Sequence, residues 1–326
     1  MSSTMCKGPA VPGPDFSAFQ RLLKPLFPGV KIQNIRLLEG HSHPLHFLQL
    51  SNGLELVLKA RPLLSTPVLR HERYNLETEA AVLSLLSQSK IDGIPKLSKV
   101  ENPSIPQRTS YLLRHSIRGL PLSEIDVSLS VDEQKGIDRR VSATLNLIAQ
   151  HTSSQFGLVH NVASGAGCRT WKQAFLALLD SLIWDAENLF ISLPYPEIRQ
   201  HAMRLSACLD DVKLPRLVIL NIGQPSQTIV DPRTKRVSGF VDFSSALWGD
   251  PLMAEIFESA SSAFLEGFQS DMDEKSAPIR LLLYSCYHNI LRVVRQYYRN
   301  REDDEELTAR RALTARLAKL STLEFP

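Results

Sequence analysis

The spacing of apolar positions changes near residue 120. Before it, apolar residues fall in short runs: Ile32–Leu38, Leu45–Leu50 and Leu54–Ala60. The turn Ser51-Asn52-Gly53 separates the last two, and Asn-Gly between apolar runs is the strongest short hairpin signal. Lys59 falls at the end of the second hairpin strand, a cation inside an apolar stretch. Glu72–Ser87 then predicts a helix, with Leu76, Ala80, Leu83 and Leu86 on one face. Ile94-Pro95 opens an extended segment, Ser110–Arg114 reads as another strand, and Arg118–Leu122 is rich in breakers.

Beyond residue 120 the period is mostly helical. Ser130 with Glu133 makes a capping box ahead of a stripe of Ile137, Val141, Leu145 and Ile148. Thr170 and Gln173 repeat that spacing before Phe175, Leu178, Leu179, Leu182 and Ala186. Ile279–Tyr298 carries Leu282, Leu283, Cys286, Ile290, Val293, Val294 and Tyr297 at helical spacing, and Glu302–Lys319 predicts a terminal helix. Three β-type runs interrupt this half: Leu217–Ile222, Thr228–Val230 and Val237–Phe243. The pattern is α+β. It consists of a loose tail at 1–14, a strand-rich lobe with one helix at 15–116, and a larger helical lobe at 117–326. No internal repeat is present.

Composition narrows the class. The 326 residues are 43% apolar and 22% charged, ordinary for a globular chain long enough to bury its own core. A net charge of +3 is too balanced for a nucleic-acid or polybasic membrane surface, so neither partner is expected. The four cysteines are scattered without a CxxC pair, which argues against a zinc site and for a reducing compartment. No secretory h-region or apolar run of transmembrane length occurs, and the expected location is the cytoplasm.

Three places carry candidate chemistry. Lys59 ends a buried-type strand and needs a counter-charge, which Glu79 on the next helix supplies; such a pair holds a lysine toward a phosphate. The plainer reading is a strand-end lysine and a solvated glutamate. Asp242, in Val241-Asp242-Phe243, closes an apolar strand where a carboxylate binds Mg²⁺, or simply ends a strand. Asp250, in Trp248-Gly249-Asp250-Pro251, reads as a loop-stabilising side chain. The loop Gly40-His41-Ser42-His43-Pro44-Leu45-His46 offers backbone N–H groups to phosphates through Gly40 and Ser42. His41 and His43 share a face in extended chain while His46 does not, which weighs against a metal.

Taken in this order, the motifs resemble the aminoglycoside phosphotransferase and choline-kinase-like family, over roughly residues 30–260. The resemblance rests on the Gly/Ser loop, Leu56-Val57-Leu58-Lys59, Glu77-Thr78-Glu79, Phe156-Gly157, Trp171–Phe175 and Val230-Asp231-Pro232. Most specific is the run from Val237 through Asp242 to Ala246-Leu247-Trp248-Gly249-Asp250-Pro251-Leu252-Met253. The set looks closest to the small-molecule-kinase homologues of filamentous fungi. The resemblance implies a bilobal protein-kinase-like fold, with ATP and Mg²⁺ as cofactors. It would have Lys59 contact phosphates, Glu79 orient it, Asp242 hold the metal, and Tyr111–Ile117 receive the adenine.

The segment 217–231 departs from the family. Members carry a His-X-Asp catalytic loop followed by Gly-Asn. Here the stretch reads Leu217-Val218-Ile219-Leu220-Asn221-Ile222-Gly223-Gln224-Pro225-Ser226-Gln227. Gln227 takes the metal-binding asparagine position. Ungapped, Ile222 stands where the catalytic aspartate belongs. A loop one residue longer puts Asn221 there and Ile219 at the histidine, and keeps a polar group at the site. In either register the base is absent. A carboxamide does not accept a proton near neutral pH, and losing a positioned base costs about 10²–10⁴-fold.

Three functions are compatible with this sequence. The first is a repurposed enzyme of secondary metabolism, which uses the cleft for cyclisation, isomerisation or elimination of a small molecule. Ile219, Leu220 and Ile222 would keep that cleft apolar, and His41 and His43 are its acid/base candidates. The second is a nucleotide-binding pseudokinase with a regulatory or scaffold role. The third is an altered ATP-dependent phosphotransferase, in which Gln227 offers Mg²⁺ a carbonyl oxygen.

Overall fold

A computed structural model describes residues 16–38, 43–62, 66–101, 110–125, 129–268, 275–299 and 302–323. The chain divides into two compact units, residues 1–62 with 98–116, and residues 63–97 with 117–326.

The first unit is built on a hairpin. Strands β1 (Ile32–Leu38), β2 (Leu45–Leu50), β3 (Glu55–Ala60), β4 (Leu97–Glu101) and β5 (Tyr111–His115) form one sheet in the order β1-β2-β3-β5-β4. The β2–β3 turn at Asn52-Gly53 has Gly53 at φ 80°, which glycine adopts without steric cost. Strand alternation then sorts the side chains. Leu56 and Leu58 of β3 join Leu48, Leu50, Tyr111 and Leu113 in this unit's core. Val57 and Lys59 take the other face, where Lys59 opposes Leu112 and Val57 opposes Arg114. A helix that sequence spacing did not predict, α1 (Phe16–Leu23), adds Leu23 to the core. Its Gln20 clasps β1 by donating to Val30 O at 2.8 Å and accepting from Ile32 N at 2.9 Å.

In the second unit, the helix expected at Glu72–Ser87 is α2 (Asn75–Leu86), preceded by a 3₁₀ turn at Arg70–Glu72. The Ser130–Glu133 box forms in full at α3 (Val131–Ala149), with Ser130 N donating to Glu133 at 2.7 Å and Glu133 N to Ser130 Oγ at 3.2 Å. Further along lie α4 (Val159–Ala163), α5 (Trp171–Asn188), capped by Thr170 Oγ1, and α6 (Tyr195–Arg204). The remaining helices are α7 (Ser262–Gly267), α8 (Ala277–Tyr298) and α9 (Asp303–Ser321). Their apolar stripes, including Trp171, Phe175, Leu179, Leu283, Ile290 and Val294, form a second core separate from that of the first unit.

Two small sheets sit in this unit, ordered β10-β9-β6 and β7-β11-β8. Their strands are β6 (Leu120–Pro121), β7 (Gly157–Leu158), β8 (Arg216–Ile219), β9 (Thr228–Val230), β10 (Val237–Phe240) and β11 (Ala246–Gly249). Two expected runs are cut short: β8 ends at Ile219, and β10 ends at Phe240, two residues before Asp242. Among the described residues, no helix is long and apolar enough to cross a membrane.

Candidate functional site

The paired strands dictate where residues 220–227 and 241–245 go. β8 enters the first segment and β9 leaves it; β10 enters the second and β11 leaves it. Because β8 pairs with β11 and β9 with β10, both antiparallel, the two segments run side by side. Ile219 opposes Ala246 at one end and Thr228 opposes Phe240 at the other. Hydrogen bonds close the frame. Leu220 N donates to Ser245 O at 2.9 Å, and Val241 N donates to Gln227 O at 3.0 Å.

Within the first segment the backbone turns on Gln224, whose carbonyl accepts Gln227 N at 2.9 Å, Thr228 N at 3.0 Å and Thr228 Oγ1 at 3.1 Å. A second clamp was not legible as a motif. Glu255 N donates to Leu220 O at 2.8 Å, while Gln224 Nε2 donates to the Glu255 carboxylate at 3.0 Å. The loop is therefore held at both ends and in the middle.

Its side chains divide. Ile219, Leu220 and Ile222 are buried members of the second unit's core, so they build the floor beneath the loop. Asn221 is half-buried. Its Oδ1 is shielded from solvent and accepts no hydrogen bond, while its backbone carbonyl accepts Gln224 N at 3.2 Å. Leaving such an acceptor unsatisfied costs about 1–3 kcal/mol, and buried polar atoms of this kind call for an explanation.

Asp242 sits at φ +62°, a left-handed conformation uncommon outside glycine though open to Asp and Asn. Non-glycine residues in this region concentrate at functional sites. The conformation is locked locally: Asp242 Oδ1 accepts from Ser244 Oγ at 2.5 Å and Ser244 N at 3.3 Å. Upstream, Gly239 holds this turn against Gly93, since Phe240 N donates to Gly93 O at 2.9 Å and a Cβ on Gly239 would stand 2.3 Å from that oxygen.

The remaining candidates fall as follows. Lys59 is buried on β3 in the first unit, and Glu79 is fully buried on α2 in the second. His43 is buried just before β2, and His46 on β2 packs its ring against Phe19 at 4.9 Å, where burial lowers its pKa. Gly40, His41 and Ser42 lie outside the described residues. Among those described, no three His, Cys, Asp or Glu side chains gather as a metal site would require.

Asp250 does what a loop-stabilising residue should. Its carboxylate accepts Leu252 N at 3.0 Å and Tyr284 Oη at 2.7 Å, and pairs with Arg280 at 2.9 Å. Trp171 Nε1 donates to the same phenol at 2.6 Å. Burial and the adjoining Asp250 carboxylate hold the Tyr284 phenol well above its ordinary pKa.

A polar stripe on α8 was also missed. His288, Arg292 and Arg295 come at steps of four and three, and the C-cap Arg299 completes the row. Glu255 and Glu258 face its start and Glu72 its end. The spacing was visible in the sequence, but it lay behind the stronger apolar stripe.

No protein-family profile matches the chain, and no curated protein matches it in sequence. Solved structures do. A thermostable mutant of aminoglycoside phosphotransferase APH(4)-Ia, in ternary complex with AMP-PNP and hygromycin B, superposes with a TM-score of 0.61 at 16% identity. The match covers 94% of this chain and all of that one. The APH(2")-IIIa structure with GDP and kanamycin gives 0.61 at 15% identity, covering 93% and 99%. A Thermobifida fusca protein provisionally assigned as a fructosamine-3-kinase gives 0.63 at 13% identity, covering 95% and 100%. The chain thus has the aminoglycoside-phosphotransferase-like, protein-kinase-like fold, of class α+β. Likeness at this level of identity establishes the fold, and function is argued from the site.

Proposed function

We propose that this chain is a small-molecule enzyme that has kept the kinase-like frame and exchanged phosphoryl transfer for an intramolecular reaction: cyclisation, isomerisation or elimination of a biosynthetic intermediate. One observation carries the reading. The loop is braced and carries Asn221, whose shielded Oδ1 accepts no hydrogen bond, at the position that a loop one residue longer than the family's assigns to the catalytic aspartate. A carboxamide orients a substrate O–H or N–H by accepting its hydrogen bond, and leaves the proton on the substrate. A concerted rearrangement or elimination within one molecule needs no phosphoryl donor and passes its proton to another atom of the substrate or to the departing group, so orientation and exclusion of water are the protein's contribution. The apolar floor of Ile219, Leu220 and Ile222 supports an apolar substrate.

The test is to incubate the protein with candidate metabolite extracts, with and without ATP and Mg²⁺, and to follow masses. A product isomeric with its precursor, or smaller by an eliminated fragment, is expected without ATP and lost in Asn221→Leu. A product heavier by one phosphoryl group, formed only with ATP, would refute the reading.

A second reading, a nucleotide-binding protein without turnover, is favoured by the pairing of the two segments that carry Gln227 and Asp242, where Val241 N donates to Gln227 O at 3.0 Å. A carboxylate and a carboxamide oxygen are the hard donors Mg²⁺ takes when phosphates complete its shell, so this pair would hold it. Bound there, Mg²⁺ would neutralise phosphate charge. This reading expects a thermal shift with ATP and Mg²⁺ that Asp242→Ala abolishes, with no substrate consumed.

A further inference from the structure

Arginines gather in the second unit around the 3₁₀ turn Arg70–Glu72 and the end of α8. Arg70 is committed there: it pairs with Asp185 at 3.1 Å, and its guanidinium lies 3.2 Å from the centre of the Trp184 ring. The others are not balanced in that way. Glu72 pairs with both Arg299, at 2.7 Å, and Arg295, at 3.6 Å. Arg295 Nε is shielded from solvent and makes no hydrogen bond. Arg73 is exposed, and its charge reaches Asp185 and Tyr298, which sits next to Arg299 in sequence. The Asp242 carboxylate is close enough to act on the Arg299 guanidinium. Arg295 and Arg299 thus share one carboxylate, Glu72, as their ion-pair partner. Tyr74, which follows Arg73 in sequence and is 44% exposed, stacks on His160 with centroids 3.6 Å apart.

A guanidinium with free donors matches an oxyanion in geometry as well as charge. We propose that Arg299 and Arg295, with Arg73 at the rim, form a binding site for the phosphate or carboxylate group of a small molecule, next to Asp242. Glu72 holds the two arginines in place while the site is empty and competes with the ligand for them. The inference names the substrate class for the function proposed above and rests on that reading. It implies an anionic substrate rather than a polycation.

The test uses the full chain, with inorganic phosphate and malonate as separate probes against chloride at constant ionic strength. Binding is read by calorimetry and by thermal shift. Saturable binding of one or both is expected, and the tighter probe identifies the group recognised. Arg299→Gln should weaken it about tenfold or more, as loss of a charged hydrogen bond does. Glu72→Gln should tighten it several-fold by removing the competitor. Arg299→Lys preserves the charge and guards against misfolding; it should retain part of the affinity. Absence of binding of either probe to the wild type overturns the proposal. So does an Arg299→Gln protein that melts earlier yet binds the probe as the wild type does, since that marks a purely structural ion-pair cluster. Asn221→Leu should leave probe binding unchanged. Failure of the anion site and failure of the rearrangement chemistry are therefore separable.

Discussion

Replacing Asp250 by Ala should destabilise the second unit severely. The residue is 1% exposed, as are Arg280 and Tyr284. Removing the carboxylate strands the Arg280 guanidinium in the core and takes an acceptor from the Tyr284 hydroxyl and from Leu252 N. Deleting one member of a buried ion pair costs about 3–5 kcal/mol, because the partner's charge is left uncompensated. Set against the about 5–15 kcal/mol of a whole domain, that is enough to bring folding near its limit. Asp250→Asn removes the charge and keeps one acceptor oxygen, for Leu252 N or for the Tyr284 hydroxyl, which donate to different carboxylate oxygens. The assay is equilibrium unfolding in urea, with the slope checked for constancy. Adding Arg280→Met to Asp250→Ala should recover part of the loss, since the stranded charge goes with it. A cost below about 1 kcal/mol for Asp250→Ala, or a double variant no better than the single, would refute the assignment of Asp250 as a buried charge anchor.

Three further outcomes are expected from the structure. Burial, reinforced by Arg295 and Arg299 and opposed by Glu72, pushes the His71 imidazole down to about 4. The folded state thus refuses a proton that the unfolded chain accepts near pH 6.5, so this contribution is fully present above pH 6.5 and is lost as pH falls toward 4. Between pH 7 and pH 5 it amounts to about 2 kcal/mol, and His71→Gln should show a correspondingly flatter loss in unfolding measurements at the two pH values. Gly239→Ala drives a methyl group to 2.3 Å from Gly93 O, so it should lower the melting temperature and disturb the turn carrying Asp242; an unchanged melting curve would show that the contact relaxes freely. Ser130→Ala should cost about 1 kcal/mol by removing the cap of α3, measurable by denaturation.

Most of the framework was legible because local signals agreed with tertiary need. Asn52-Gly53 fixed a hairpin register, and Ser130 with Glu133 announced a helix start that both hydrogen bonds realise. The misses are equally local in origin. Glu72 fits the helical period of Leu76, Ala80 and Leu83. It is instead held in a 3₁₀ turn by Arg295 and Arg299, more than two hundred residues away, and no periodicity conveys that. The strand through Val241-Asp242-Phe243 stops early because Asp242 turns left-handed, a choice set by Ser244 and by the neighbouring loop. Asn221 was found through a break in a recognised motif. Its unsatisfied oxygen, and the Gln224–Glu255 clamp that stiffens the loop, emerge only from packing.

The central claim is that the braced loop lacks a proton acceptor for phosphoryl transfer. It is tested most directly by ADP release from ATP and Mg²⁺ with a panel of small alcohols, comparing wild type, Asn221→Asp, Asn221→Leu and Asp242→Ala. The account predicts that wild type and Asp242→Ala are both indistinguishable from buffer, and that any turnover appears only in Asn221→Asp. Wild-type turnover that survives in Asn221→Leu but vanishes in Asp242→Ala would contradict it, because another group would then be taking the proton.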